Sequence, residues 1–475
     1  MRNVVRAVRR GCRLLLLIPI LALGMLTTLG SGGGGGSDSE LGQAFGCIID
    51  ALFGVDCNAP PPSESPAPSP QPPPPGQQFN CAAGDVQCLI KAINAANADS
   101  RSHDTINLAA GTYTLTAVNN TTDGPNGLPS IRGPLILNGA ADSASGSSAT
   151  AVPRTIIERA AGARPFRLLH NGTASGVLIQ GISFRGGSVV TGEPNIHGGA
   201  IFNIGRLTLR NCTVIGNQAS DGFAGGIFNT GELNLSLSTI SENHASADGG
   251  ISNWYESGAT GSTISELRVT DSTISNNTSS TGGGIGNRGQ VWLVNSTVSG
   301  NRATDGFGGG IFSAGYLDLY NSTVTGNSGG GIFSADHPNK TGETVRLLHT
   351  IVAGNLDQDF GPDDCAYNGG TLRSLGHNLV GAGTGCPSGG AGDQTVDPTT
   401  VFTEVLGPLQ DNGGPTFTHG LLPGSPAIDA GDYACTDPTH PYAPLTTDQR
   451  GLPRPVDGDG DSIIACDVGA VEFQP

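Results

Sequence analysis

From about residue 195 the chain writes its apolar and polar positions in a repeating order. An apolar residue closes a glycine cluster at Ile201, Ile227, Ile251, Ile285, Ile311 and Ile332, at steps of 26, 24, 34, 26 and 21 residues. After each comes a turn, a Leu-x-Leu pair, and a segment of the type Asn-Ser-Thr-Val-x-Gly-Asn, so the predicted strands hold only three to five residues. A period of this size means a solenoid or a propeller. Strands this short suit the coils of a parallel β-helix better than four-stranded propeller blades, which need about 40 residues or more. The 34-residue step is one coil with an insertion, "WYESGATGS" around Trp254.

Strand alternation assigns the faces. Leu207/Leu209, Leu233/Leu235, Leu267/Val269, Val291/Leu293 and Leu317/Leu319 point inward and stack from coil to coil. Aligning the segments that follow puts Cys212 in a column with Ser238, Ser272, Ser296 and Ser322, a small inward position, and predicts a buried free thiol. A further column, Asn217, Asn243, Asn277, Asn301, Asn327 and Asn355, falls at the next turn, where Asn tolerates left-handed backbone and can bond to the next coil.

Composition agrees with this pattern. The 475 residues include 75 Gly and 31 Pro, with only 5% aromatic and 13% charged, which suits many short strands and tight turns rather than a helical enzyme. Residues 1–30 carry five Arg and no acid before the run "LLLLIPILALGMLTTL", the layout of a secretory signal peptide rather than a spanning helix. Removing them moves the net charge from −17 to −22, which argues against nucleic acid and anionic membranes as partners. Residues 31–78 are Gly/Ser-rich and then Pro-rich, a linker or stalk. Residues 79–400 are assigned to the β-helix.

Outside the leader and the Cys212 column, eight cysteines fall into neighbouring couples: Cys47 with Cys57, Cys81 with Cys88, Cys365 with Cys386, and Cys435 with Cys466. Proximity in an oxidising compartment favours these among the 105 pairings that eight cysteines allow.

Three stretches carry resemblances. "GGAIFN" at 198–203 is similar to the repeats of polymorphic outer-membrane proteins, which are right-handed parallel β-helices of bacterial surfaces. "CLIKAINAANADSRSHDTINLAAGTYTLT" at 88–116 resembles the opening of secreted proteins with a Cys-Ser-Leu-Arg-Glu-Ala motif, with Ile90-Lys91 where Arg-Glu is usual. "LGPLQDNGGPTFTHGLLPGSPAIDAGD" at 406–432 with "TDQRGLPRPVDGDGDSIIACDVGAVEF" at 447–473 resembles the choice-of-anchor Q domain. Together they imply an all-β, pectin-lyase-like solenoid opened by a short cap helix near 86–99 and followed by a small C-terminal β/loop domain over 401–475, secreted or held on a bacterial surface, and none brings an established catalytic residue.

Candidate chemistry is sparse. The outward positions of the leucine strands run Thr208, Asn234, Arg268, Trp292 and Asp318, and the next outward column ends at Tyr320. Arg268, Trp292, Asp318 and Tyr320 could form a saccharide-stacking face, although isolated surface aromatics need no explanation. The recurring Asp221 and Asp305, in "SDGF" and "TDGF", read first as turn residues. In "DGDGDS", Asp457, Asp459 and Asp461 alternate like the first ligands of a calcium loop, with Asp467 or Glu472 closing it. No cofactor is required by this reading, and calcium would be structural. The reading is a non-catalytic adhesin or glycan-binding scaffold with extracellular polysaccharide or cell-surface partners; the alternative is a polysaccharide lyase or glycoside hydrolase.

Overall fold

The computed structural model describes residues 76–98, 103–140, 153–172, 176–254, 264–336, 345–357, 361–433, 435 and 444–475. The leader, most of the predicted stalk, the Cys47–Cys57 couple and the insertion after Trp254 lie outside the described residues.

Each full coil makes four straight segments, and like segments stack in parallel. Beginning at Ile201, the chain runs Ile201–Asn203, Arg206–Arg210, Thr213–Ile215 and Gln218–Phe223, then returns to Ile227–Asn229 one coil on. We name the four sheets by what they stack: asparagine, leucine, threonine and short. Among the described residues the leucine and threonine sheets each have eleven strands, the asparagine sheet eight and the short sheet five. This is a right-handed parallel β-helix, the hand expected when a twisted strand returns to its own sheet.

Register is like on like. Leu207 pairs Leu233, Leu233 pairs Leu267, and Ile201 pairs Ile227. The inward residues of both columns are fully buried and belong to one continuous apolar core. The helix α1, Val86–Ala98, caps the first coil with Leu89, Ala92, Ile93 and Ala96, spaced to share one face.

Two polar ladders run through this interior. Asn171, Asn203, Asn229, Asn253 and Asn287 pass a bond from side-chain amide to side-chain oxygen at 2.7–3.1 Å. Asn217, Asn243, Asn277, Asn301, Asn327 and Asn355 do the same at 2.8–3.0 Å, and each amide also donates to a backbone carbonyl of the preceding coil. Buried amides are tolerated because both their donor and acceptor groups are used. The expected left-handed backbone lies one residue earlier, at Gly216, Glu242, Asn276, Gly300, Gly326 and Gly354. The chain turns there so that the following Asn can enter the interior.

In the small column, the Oγ of Ser238, Ser272, Ser296 and Ser322 accepts the backbone N–H of the coil before. Cys212 begins that column as a free, buried thiol, and burial pushes its pKa up to about 12. Disulfides join Cys81 to Cys88, Cys365 to Cys386 and Cys435 to Cys466.

The C-terminal segment lies along the flank of the β-helix rather than at its end. Gln449 is clasped by Thr273, Thr297 and Thr416, His419 bonds to Ser299, and the Ala470 N–H donates to Thr323. At its centre Arg454, fully buried, donates to the Glu472 carboxylate at 2.8 Å, to Asn295, and to the carbonyls of Asp467 and Gly469. Four acceptors satisfy the buried charge, so the motif residues Gln449, Arg454 and Glu472 act in docking.

Val298 is fully buried between Ile274 and Val324 of the neighbouring coils. Replacing it by Asp leaves an unpaired buried charge that costs several kcal/mol. A melting curve of Val298→Asp should show a large drop with loss of β signal from more than one coil. An unchanged curve would place this side chain outside.

Candidate functional site

The step of 21 residues between Ile311 and Ile332 builds the site. One coil earlier, nine residues between Asn301 and Ile311 form the short-sheet strand Arg302–Phe307 and its return; between Asn327 and Ile332 only four residues remain. With no length for a strand, Ser328 keeps a single bridge to each neighbour and the short sheet ends. The chain cuts the corner through Gly329 and Gly330, both left-handed at φ +87° and +86°. A Cβ on Gly329 would lie 2.3 Å from the Ala303 carbonyl, so only glycine fits.

The missing strand leaves an open cavity of about 600 Å³. Thr304, Asp305 and Phe307 line it from the short-sheet strand, Phe333 and Ala366 from the asparagine sheet, and Asp357, Pro362 and Asp363 from the next coil, with Gly383 and Thr384 at the end. The Thr384 carbonyl accepts the Cys365 N–H, and the Cys365–Cys386 disulfide ties this turn to the asparagine sheet. Phe307 is 44% exposed, and its ring meets Phe333 edge-on at 5.0 Å; Phe333 in turn stacks on Phe312 at 5.7 Å. Burial, and then the charge of Asp357, raises the Asp363 pKa, so this carboxyl holds a proton more readily than an open one. A volume of this size, with a few convergent polar groups and an aromatic wall, suits a small ligand. Carboxylates accept hydrogen bonds from hydroxyls while the rings offer a flat apolar surface.

Behind the end wall, Asp364 closes the second asparagine ladder. Its Oδ1 accepts both the N–H and the amide of Asn355, while Oδ2 lies beneath Gly381 without a hydrogen-bond partner. Burial pushes its pKa up to about 6.

The face expected from the sequence is organised differently. Arg268 stacks over Trp292 at 4.1 Å and lies 3.3 Å from Glu266. Asp318 is buried and paired with Arg346 through two hydrogen bonds. Tyr320 points outward as alternation requires but is not available for stacking: with Val294 and Leu348 it is buried in an apolar cluster against which Trp292, Leu375 and Leu445 pack. Leu445, from the C-terminal segment folding back onto the coils, contributes to that cover. The charged groups on this face satisfy one another, and Trp292 has one side in packing.

The acidic loop is also regrouped. The carboxylates of Asp429, Asp457 and Asp459 come within 4.8 Å of one another, a donor set of the kind hard cations take. Asp461 and Asp467 are not in this group. Asp461 accepts the Ile463 N–H, and Asp467 turns inward to accept the N–H groups of Asp429 and Phe473. Asp429 accepts the N–H groups of Gly458 and Asp459, while Asp457 accepts those of Gly460 and Ser462, so the loop carboxylates also hold turns. Among the described residues no helix is long and apolar enough to cross a membrane.

Asp305 reads in the sequence as a turn residue, and the sequence pattern does not single out Asp357 or Asp363. Their shared signal is the short step, which predicts a gap at the corner they surround.

No protein-family model matches the chain, and no curated protein does. Among solved structures, a pectate lyase superposes with a TM-score of 0.39 at 13% identity, covering 80% of this chain and 90% of its own. The A-module of a mannuronan C-5 epimerase from Azotobacter vinelandii gives 0.32 at 16% identity, with 67% and 96% covered. A mannuronic acid-specific family 6 polysaccharide lyase from human gut microbiota gives 0.24 at 11% identity, with 68% and 82% covered.

Asp364 supplies a pH test. Its folded pKa, about 6, stands above the ordinary aspartate value of 3.8, so the folded state binds the proton more tightly. Its contribution therefore falls as pH rises from about 4 through 6. Asp364→Asn keeps an oxygen for both bonds from Asn355 and removes the charge. The variant should be more stable than the parent by roughly 3 kcal/mol at pH 8, a margin that closes toward pH 4. Chemical denaturation at the two pH values checks this; equal stability at pH 8 would show that the buried charge has no cost.

Proposed function

We propose that this protein is an extracellular polysaccharide-binding β-helix whose cleft receives sugar rings against Phe307 and Phe333, with Asp305, Asp357 and Asp363 lining the same void. The carrying observation is the aromatic wall and the carboxylates facing one void, made by the truncated coil. Pyranose rings present an apolar C–H face and a rim of hydroxyls, which these two kinds of group complement. Three acidic side chains favour neutral sugars at this position, because a uronate here meets like charge. Secretion is supported by three disulfides, which persist in oxidising compartments.

A second reading, glycoside hydrolysis, is favoured by one observation: Asp363 has a raised pKa beside Asp357. A carboxyl that keeps its proton can act as general acid while its neighbour acts as base or nucleophile.

Purified protein should be screened against neutral and uronic polysaccharides, reading binding, new reducing ends and unsaturated ends absorbing near 235 nm. The expected result is binding to at least one neutral polymer, weakened tenfold or more by Phe307→Ala with the melting temperature retained. New reducing ends abolished by Asp363→Asn would add hydrolysis to the reading. Unsaturated ends would replace it with a lyase, and affinity unaltered by Phe307→Ala would remove the cleft.

A further inference from the structure

The outward column of the asparagine sheet runs His170, Phe202, Phe228, Ser252, Gly286, Phe312 and Phe333. Rings fill it except at Ser252 and Gly286. Those two positions lie over Asp248, a fully buried carboxylate: Ser252 Oγ donates to it at 2.7 Å, and a Cβ on Gly286 would stand 1.9 Å from it. A ring at 286 and a carboxylate at 248 exclude one another.

Asp248 holds Arg288, whose Nη1 donates to Oδ2 at 2.9 Å. The guanidinium sits among rings, 4.5 Å from the centroid of Trp254, 5.4 Å from Phe312 and 5.6 Å from Phe223. Its side chain is 25% exposed. Of the five N–H groups a guanidinium carries, one is used on Asp248, and the rest have no acceptor among the described residues. Meanwhile Asp248 Oδ1 is buried with no hydrogen bond. Asp248 is buried while the guanidinium reaches solvent with donors to spare, and a charge pair of this kind is a poor stabilising device beside well-packed rings. Interrupting an aromatic column to build one is better explained by recognition.

We infer that Arg288 is a second binding position for the polysaccharide of the cleft, taking a planar carboxylate, a uronate substituent, in the fork of its guanidinium while the sugar ring lies on Trp254 or Phe312. The inference rests on the reading of the cleft as a glycan site and names its substrate class: a polymer with neutral rings at Phe333 and a uronate two coils away. At a strand spacing of about 4.8 Å, that separation is roughly 10 Å along the axis. The fork geometry favours a carboxylate, and its rigid anchoring by Asp248 leaves little side-chain entropy to lose on binding.

The test compares a neutral backbone with the same backbone bearing uronate branches, such as xylan with glucuronoxylan and arabinogalactan with and without glucuronate caps, by calorimetry. The parent should prefer the uronate-bearing form of at least one pair about tenfold, and the preference should shrink as salt is raised. Arg288→Lys keeps a partner for Asp248 but loses the fork, and the ratio should fall toward one. The double substitution Asp248→Asn with Arg288→Gln removes both charges of the pair, so it separates recognition from folding; the ratio should again be about one, with a cooperative melt retained. Equal affinities in the parent, or a ratio unchanged in the double variant, would overturn the inference while leaving the cleft in place. If no polymer of either kind bound the parent, the cleft reading itself would fail and this position with it.

Discussion

Every part of this molecule depends on a stacking constraint: a coil can satisfy its inward side chains only with the same kind of side chain one coil above and below. The asparagine ladders show it most sharply. A single buried amide in an apolar interior is costly, but in a column each amide donates to the oxygen of the next and the cost is removed. The leucine and isoleucine columns obey the same rule with dispersion and burial in place of hydrogen bonds. Like therefore stacks on like, and the repeat seen in the sequence is its direct consequence.

The functional features arise where that rule is interrupted. The coil after Asn327 lacks the residues for a fourth strand, the short sheet stops, and a cavity opens beside two phenylalanines. Ser252 and Gly286 break an aromatic column, and a carboxylate and an arginine occupy the break. A perfect solenoid would have neither feature. Both lie on the same flank, whereas the threonine sheet is taken by the C-terminal segment through Gln449, His419 and Arg454.

The coil path, the inward leucines and the Ser/Cys column were legible in the sequence because they are periodic, and periodicity fixes facing; the cap helix was legible through the resemblance carried by residues 88–116. Less legible was what comes from elsewhere in the chain. Alternation places Tyr320 outward, but it cannot show that Leu445, more than a hundred residues later, will help cover it. The acidic run reads in the sequence as a loop closed by Asp467 or Glu472, yet Asp429 enters the group while Asp467 turns inward to hold backbone. The asparagine column was placed correctly in sequence but one residue away from the left-handed turn, since only the backbone dihedrals distinguish the residue that bends from the residue that follows the bend. The cleft is written as an absence of residues, visible in the sequence only as the step of 21.

The central claim is that the truncated coil creates the binding site, and it is tested by restoring the missing length. Residues 328–331 would be replaced by nine residues patterned on 302–310, with Asn in place of Asp305 and Ala in place of Phe307, so that the short sheet continues through the cavity. The account predicts a folded protein with an unchanged or higher melting temperature that no longer binds the polysaccharide held by the parent. Undiminished binding, with a crystal structure showing the cavity filled, would contradict it.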